Sequence, residues 1–498
     1  MTFHVSLVGK SDLSGEIYRQ IRQAILDGRL QPGECLSPTR ELATALAVSR
    51  STVTIAYERL LAEGFAKSRV GAGTFVSREF ETGRPATKGK RPLARTIEPR
   101  TLWETIPLPE EAFFRPVRFN FRCALPDASL FPHKAWRRAV AGALRECEKT
   151  AGVYETPAGN RDLRTAIARH IGISRRVLGS PDDLIVTSGT QQALDIVARV
   201  LLEPGDVVAV EDPGYRYARQ LFQSVGARVT GVPVDGEGLV VEKLPKRAKA
   251  VYVTPSHQFP LGVAMSLTRR RGLLAWAERN NAVIIEDDYD SEFRFGGRPL
   301  EPLQTLDAAG RVVYVGSFSK TMLPTLRLGF VVVPPSLQVA VQKAKFVSDW
   351  HTPAIAQNAM ASFIENGGFS RHIRRMSSAY RERHEILTDT VKRDFSNHLE
   401  LIPSSTGLHV AAYARTSSVD HIDAIVSRAV DLDVAVQRFT SFSGGRKPPV
   451  GVILGYGAIE TAQIAEGLRR LRKCFVDEEL ARRAKGRRSG RQEATTRR

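Results

Sequence analysis

A lysine, a carboxylate, a phenol, two hydroxyls and a guanidinium occur together in two short runs of this chain. Lys320 lies in Ser317-Phe318-Ser319-Lys320-Thr321-Met322-Leu323-Pro324-Thr325-Leu326-Arg327, downstream of Glu286-Asp287-Asp288-Tyr289-Asp290. A neutral lysine amine can capture an aldehyde as an imine, and a carboxylate can keep a pyridine nitrogen protonated. A guanidinium and hydroxyls can hold a phosphate. Those are the joint needs of pyridoxal 5′-phosphate (PLP). On this reading Lys320 carries the imine, Asp287 faces the ring nitrogen, Tyr289 the ring oxygen, and Arg327, Ser317 and Ser319 the phosphate. A lone lysine would be read as a surface residue; Ser-x-Ser-Lys with Arg327 seven positions on is what sets this one apart.

Four further segments join the candidate site. Ser188-Gly189-Thr190 follows a predicted strand and opens a predicted helix, where free N–H groups, the helix dipole and the Thr190 hydroxyl suit a phosphate beside Gly189. Tyr215, in Asp212-Pro213-Gly214-Tyr215, can stack on a pyridine ring or simply pack. His257, in Thr254-Pro255-Ser256-His257-Gln258-Phe259-Pro260, either lines the site or is a hydrogen-bonded loop residue. Tyr154 is a candidate to reach the phosphate across a dimer interface.

The elements that would position these groups alternate in type. Short β-branched runs at 184–186, 207–210, 250–253, 283–286, 312–315 and 330–333 are separated by helix-length segments. This pattern predicts a mainly parallel sheet covered on both faces. Asp287 ends one of the strands and should project from the carboxyl edge of the sheet.

The first 78 residues have another character. Apolar stripes predict a helix over 12–27, a second opened by Ser37 as cap with Pro38 in the first turn, and a third capped by Ser49. Two strand-like runs, 65–69 and 74–77, flank Val70-Gly71-Ala72-Gly73. In a helix-turn-helix the second helix enters the major groove, and here it would begin Ser49-Arg50-Ser51-Thr52, with Thr54 on the same face. Arg50 can pair bidentately with guanine, the hydroxyls suit phosphate, and Arg40 could reach either. The hairpin, with Gly71 and Gly73 at its turn and Lys67 and Arg69 at its stem, would form a wing. A small helical bundle with solvated arginines is the alternative.

Composition sets outer limits. The 498 residues are 42% hydrophobic and 25% charged, as in soluble globular proteins, but the formal net charge is +19. That excess favours polyanionic partners without identifying one. Cys35, Cys123, Cys147 and Cys474 form no C-x-x-C, so neither a disulfide scaffold nor a metal site is expected. No apolar run suits a signal peptide or membrane span, and a cytoplasmic location is expected. Domains are expected at 12–78 (DNA-binding head), 79–112 (a flexible basic linker, contacting DNA or merely solvated), 113–475 (PLP-binding body) and 476–498 (a disordered basic tail).

With Gly15–Val76 carrying Arg40-Glu41-Leu42-Ala43, Val48-Ser49-Arg50-Ser51-Thr52-Val53 and Gly71-Ala72-Gly73-Thr74-Phe75-Val76, the head resembles the GntR-type winged helix-turn-helix. Residues 113–475 resemble the fold-type I aminotransferase domain, an α/β fold with a mainly parallel sheet and a smaller C-terminal α+β part. Together the two resemble the MocR family of transcriptional regulators, with Thr187-Ser188-Gly189-Thr190-Gln191-Gln192 and Gly316-Ser317-Phe318-Ser319-Lys320 among the shared phrases. The resemblance implies a homodimer with heads swapped over partner bodies and PLP bound at Lys320. It also implies double-stranded operator DNA as partner, an amino compound or PLP as effector, and control of PLP synthesis or of amino-compound catabolism such as rhizopine use. One departure stands out: Ile453 occupies the place where aminotransferases put a carboxylate-binding arginine. An active aminotransferase carrying an accessory head is the rival reading.

Overall fold

A computed structural model describes residues 12–77, 97–109, 115–149, 152–296, 301–415, 418–445 and 448–496. The chain divides into two compact units, Met1–Pro99 and Arg100–Arg498.

In the first unit, α1 (Leu13–Leu26) is capped by Asp12, whose carboxylate accepts from the Gly15 N–H at 3.0 Å. Its Ile17, Ile21 and Ala24 are buried against Val53, Ala56 and Leu60 of α3 (Arg50–Ala62), as the helical spacing predicts. Between them α2 (Thr39–Ala45) starts later than expected: Pro38 holds the cap position and Ser37 does not cap. Instead the Ser37 carbonyl accepts from the Tyr57 hydroxyl at 2.8 Å, which ties α3 to the chain entering α2. The hairpin pairs β1 (Ala66–Arg69) with β2 (Gly73–Val76), Arg69 opposite Gly73. Its turn needs a left-handed residue, and Gly71 supplies it at φ 78°.

Most of the expected linker, 79–96 and 110–112, lies outside the described residues. Its later part, Thr101–Glu104, forms a single 3-10 turn in the second unit.

The second unit is built on an eight-stranded sheet: β3 (Leu184–Thr187), β4 (Val207–Asp212), β5 (Arg228–Asp235), β6 (Gly238–Leu239), β7 (Ala248–Val253), β8 (Val283–Asp288), β9 (Val312–Ser317) and β10 (Gly329–Val332). The order is β3-β10-β9-β8-β7-β4-β5-β6. Strands β9-β8-β7-β4-β5 run parallel, whereas β10 and the short β6 run against their neighbours. Every residue of β3, β9 and β10 is buried, which explains why they read as unbroken apolar runs.

A smaller antiparallel sheet, β11 (Leu399–Leu401), β12 (His409–Ala414), β13 (Gln437–Arg438) and β14 (Gly451–Gly455), in the order β11-β12-β14-β13, has its own core. Against it packs the last helix, Thr461–Thr496, through Ile464, Leu468, Leu471 and Phe475. Across the segment expected to be a disordered tail, from 476, the backbone is helical to Thr496. Packing of the first turns has already met the nucleation cost, and the alanine, arginine and glutamate that follow propagate a helix readily. Among the described residues no helix is long and apolar enough to cross a membrane.

Candidate cofactor cavity and DNA-reading surface

The carboxyl ends of the parallel strands converge on a cavity of about 160 Å³ lined by Lys320, Asp287, Tyr289, Ser317, Ser319, Arg327, Thr190 and Tyr215. Strand alternation selects among the acidic residues of β8. Glu286 and Asp288 share one face and are spent on structure. Glu286 accepts from the Leu303 and Gln304 N–H groups at 2.9 Å, and Asp288 pairs with Arg175 at 2.9 Å and the Tyr314 hydroxyl at 2.6 Å. Asp287 points to the opposite face, into the cavity. Its Oδ2 accepts from the Tyr252 hydroxyl at 2.7 Å, while its Oδ1 is buried with no partner. Burial pushes the Asp287 carboxyl up to about 7. A protonated ring nitrogen opposite Oδ1 would complete its bonding and restore its charge.

Lys320 follows the end of β9 and makes no hydrogen bond among the described residues. Burial lowers its pKa, which favours the neutral, nucleophilic amine. Arg327 sits in the left-handed region at φ 49° and donates to the Ser188 carbonyl at 2.9 Å. Its guanidinium lies so close to Gly189 that a Cβ there would come within 3.2 Å of it. Gly189 therefore brings the guanidinium to the N-terminus of α4 (Thr190–Leu201), where Thr190 and free N–H groups point at the same space. Ser317 Oγ accepts from the Ser319 N–H at 3.1 Å and closes the loop around that end. These donors, with Asp287 Oδ1 and Lys320, fit PLP group by group.

On the head, Ser49 Oγ accepts from the Thr52 N–H at 3.1 Å and lies 2.7 Å from the Ser51 and Thr52 hydroxyls. Arg40 and Arg50 are exposed, and their side chains bond to nothing among the described residues. Thr54 is half-buried, its hydroxyl donating along the helix to the Arg50 carbonyl at 2.9 Å. Lys67 and Arg69 are exposed on the wing, Arg69 stacked over Phe75 at 5.0 Å.

Residues 13–76 match the model for bacterial regulatory proteins of the gntR family, and 125–442 match aminotransferase class I and II. The chain is 35% identical over 467 residues to the probable rhizopine catabolism regulatory protein MocR of Rhizobium meliloti, covering 93% of each. It belongs to the MocR-type GntR regulators. It is also 31% identical to the pyridoxine biosynthesis regulator PdxR of Corynebacterium glutamicum, over 89% of this chain and 91% of that one. Among solved structures, the α-aminoadipate aminotransferase LysN of Thermus thermophilus superposes with a TM-score of 0.69 at 29% identity, covering 77% of this chain and 98% of that one. This MocR-type chain is thus a DNA-binding transcriptional regulator with an aminotransferase-like body.

Two candidate residues lie off the cavity. His257 is buried behind Tyr289, its Nδ1 facing Asp290 at 3.0 Å, so it backs the cavity instead of lining it. Tyr154 is 73% exposed and stacks on Trp350 at 4.4 Å, outside the cavity. Sequence reasoning missed Tyr252, the partner of Asp287. Its one signal was a polar-tipped residue inside an otherwise apolar run. Also missed were Gln191, which donates to the Tyr215 hydroxyl at 3.1 Å, and the lining residues Thr254 and Phe259. Ile453 is fully buried in one apolar cluster with Phe259 and Tyr289. Among the described residues lining the cavity, the cations are Lys320 and Arg327.

Proposed function

We propose that this regulator holds PLP in the body cavity and reads operator DNA with α3 and the wing, and that the state of the cavity sets its DNA affinity. The observation that carries this reading is the buried, unpaired Asp287 Oδ1 facing the same cavity as Lys320, beside the Arg327–Gly189 phosphate cradle. When bound, PLP supplies an aldehyde that captures primary amines reversibly. Lys320 anchors it, Asp287 orients the ring with Tyr252 holding its second oxygen, the Tyr289 phenol faces the ring oxygen, and Tyr215 covers a face. Arg327, Ser317, Ser319, Thr190 and the backbone at Gly189 bind the phosphate.

Arg50 and Arg40 read or position DNA, with Ser49, Ser51, Thr52 and Thr54 at the start of α3 and Lys67, Arg69, Gly71 and Gly73 in the wing. A homodimer is supported by the exposed apolar group of Tyr154, Trp350, Phe346 and Val347, and Tyr154 then reaches the partner's phosphate. With Ile453 buried and no further cation among the described residues lining the cavity, the effector is PLP itself or an amine without an α-carboxylate. The regulated genes serve PLP synthesis or amino-compound catabolism, in the cytoplasm. Steady-state transamination of common amino acids is slow or absent.

Purified protein should absorb near ~420 nm, as a protonated lysine–PLP link does. Its retention of operator DNA should change on adding PLP or a suitable amine. A colourless protein whose DNA binding ignores both would overturn the proposal.

A further inference from the structure

We propose that His257 and His409, oriented by Asp290 and by the Pro260 carbonyl, form a buried site for one divalent transition-metal ion of the zinc class. The three side chains come from three places in the fold: the loop after β7, the segment after β8 and the start of β12. All are buried, and one nitrogen of each ring and an Asp290 oxygen lie within 4.8 Å of one another.

The hydrogen bonds decide which nitrogens are free. His257 Nδ1 lies 3.1 and 3.0 Å from the two Asp290 oxygens, which can only accept, so Nδ1 carries the proton. His409 Nε2 lies 3.0 Å from the Pro260 carbonyl and carries the proton for the same reason. The remaining nitrogens, His257 Nε2 and His409 Nδ1, have bare lone pairs, are buried, and find no partner among the described residues. The two rings are 4.6 Å apart. Two neighbouring lone pairs without donors require an electropositive occupant. Metal-binding histidines characteristically donate their other N–H to a carboxylate or backbone carbonyl, and here one does each.

Charge and space agree. Asp290 is 1% exposed, and its carboxylate meets an imidazole but no arginine or lysine among the described residues. Lys320 lies within electrostatic range of that carboxylate without pairing with it, and a divalent ion would supply closer compensating charge. A Cβ on Gly407 would come within 2.1 Å of the His257 ring and 2.4 Å of Asp290, so a glycine is what lets this pair form. A Cβ on Gly262 would lie 3.2 Å from His257 Nε2 and 3.3 Å from the Ser404 Cβ, so the lack of a side chain there keeps the flank of the free nitrogen from being crowded. Imidazole donors suit zinc, cobalt or nickel better than magnesium or calcium. Metal–nitrogen bonds of about 2.0–2.1 Å require both rings to turn toward that space.

The ion would stand behind the cofactor cavity. The Tyr289 hydroxyl donates to the His257 carbonyl at 3.0 Å, so loading would stiffen the phenol's support. That coupling rests on the PLP reading; the metal site does not.

The test uses the full-length protein, stripped with chelator and dialysed against Zn²⁺ or Co²⁺. About one equivalent per chain is expected by elemental mass spectrometry, with a tetrahedral-type Co²⁺ absorption band. His409→Gln can still donate to the Pro260 carbonyl but loses the free nitrogen, and should weaken binding on the order of a hundredfold. Circular dichroism of the metal-free variant checks that it folds; if it does not, wild-type stoichiometry and the Co²⁺ band decide alone. Metal at background in the wild type, or unchanged affinity in a folded variant, overturns the site. Borohydride trapping of PLP is scored separately. Metal without adduct would then sink the cofactor reading alone, and adduct without metal would sink this one.

Discussion

The head and the cofactor cavity handle their polar groups in opposite ways. On the head the functional cations stand in water: Arg40 on α2 and Arg50 on α3 are exposed, without side-chain partners among the described residues and ready to meet phosphate or a base edge. In the body the two groups that would meet the cofactor's aldehyde and ring nitrogen are desolvated, Asp287 pushed up to about 7 and Lys320 pushed down by desolvation. A surface that reads a polyanion works by long-range charge, which water and salt screen but do not abolish. A site that must hold a cofactor covalently and choose a ring's protonation state needs low dielectric and fixed geometry. The difference predicts that changes in the head should act as graded losses of affinity, whereas changes in the cavity should act as switches.

The largest expected effect is in the cavity. Lys320→Ala should abolish the borohydride-stable PLP adduct, read as the loss of the mass increment on the intact protein. Retention of the same adduct elsewhere would break the contrast at its root.

Asp287 tests the electrostatic half. Burial raises Asp287, Glu211 and Glu286 to about 7 and Glu292 to about 8. Between roughly pH 4 and those values the folded cofactor-free protein holds protons that the unfolded chain has released. These groups therefore stabilise least at high pH, and their contribution falls as pH rises through that window. Asp287→Asn removes one of the four and should make the fall shallower, by about 1 kcal/mol per pH unit at most. Denaturant midpoints from pH 5 to 8 would check this, and an identical slope in the variant would show that the carboxyl is not desolvated.

Arg50→Ala should weaken operator binding by about 1–3 kcal/mol and relax base preference at one position. Fluorescence anisotropy on operator and scrambled duplexes measures both. An equal loss on both duplexes would make Arg50 a phosphate contact.

The smallest effect should come from Ser49→Ala, which removes the cap of α3 at about 1 kcal/mol of head stability. The body's unfolding transition should not move. A shift in both transitions would argue that the two units unfold together.

The head was readable because its information is local. Cap, stripe and turn signals lie within a few residues of the contacts they produce, as Ser49 with Thr52 and Gly71 between β1 and β2 illustrate. The reading slipped at Ser37, where a tertiary bond from Tyr57 took the carbonyl of the expected cap residue. In the body, residue types named Lys320, Asp287, Tyr289 and Arg327, and strand periodicity named most of the sheet. Sequence could not say that Tyr252 would hold Asp287, that His257 would sit behind Tyr289, or that Asp288 would be spent on Arg175. Nor could it show that His409 would meet His257, because nothing in either segment refers to the other. The chain by itself determined which chemistry was possible, since that depends on side-chain types and on periodicity. Only the tertiary structure decided which groups lie buried and unpaired, because burial and partnership arise where distant strands are brought side by side.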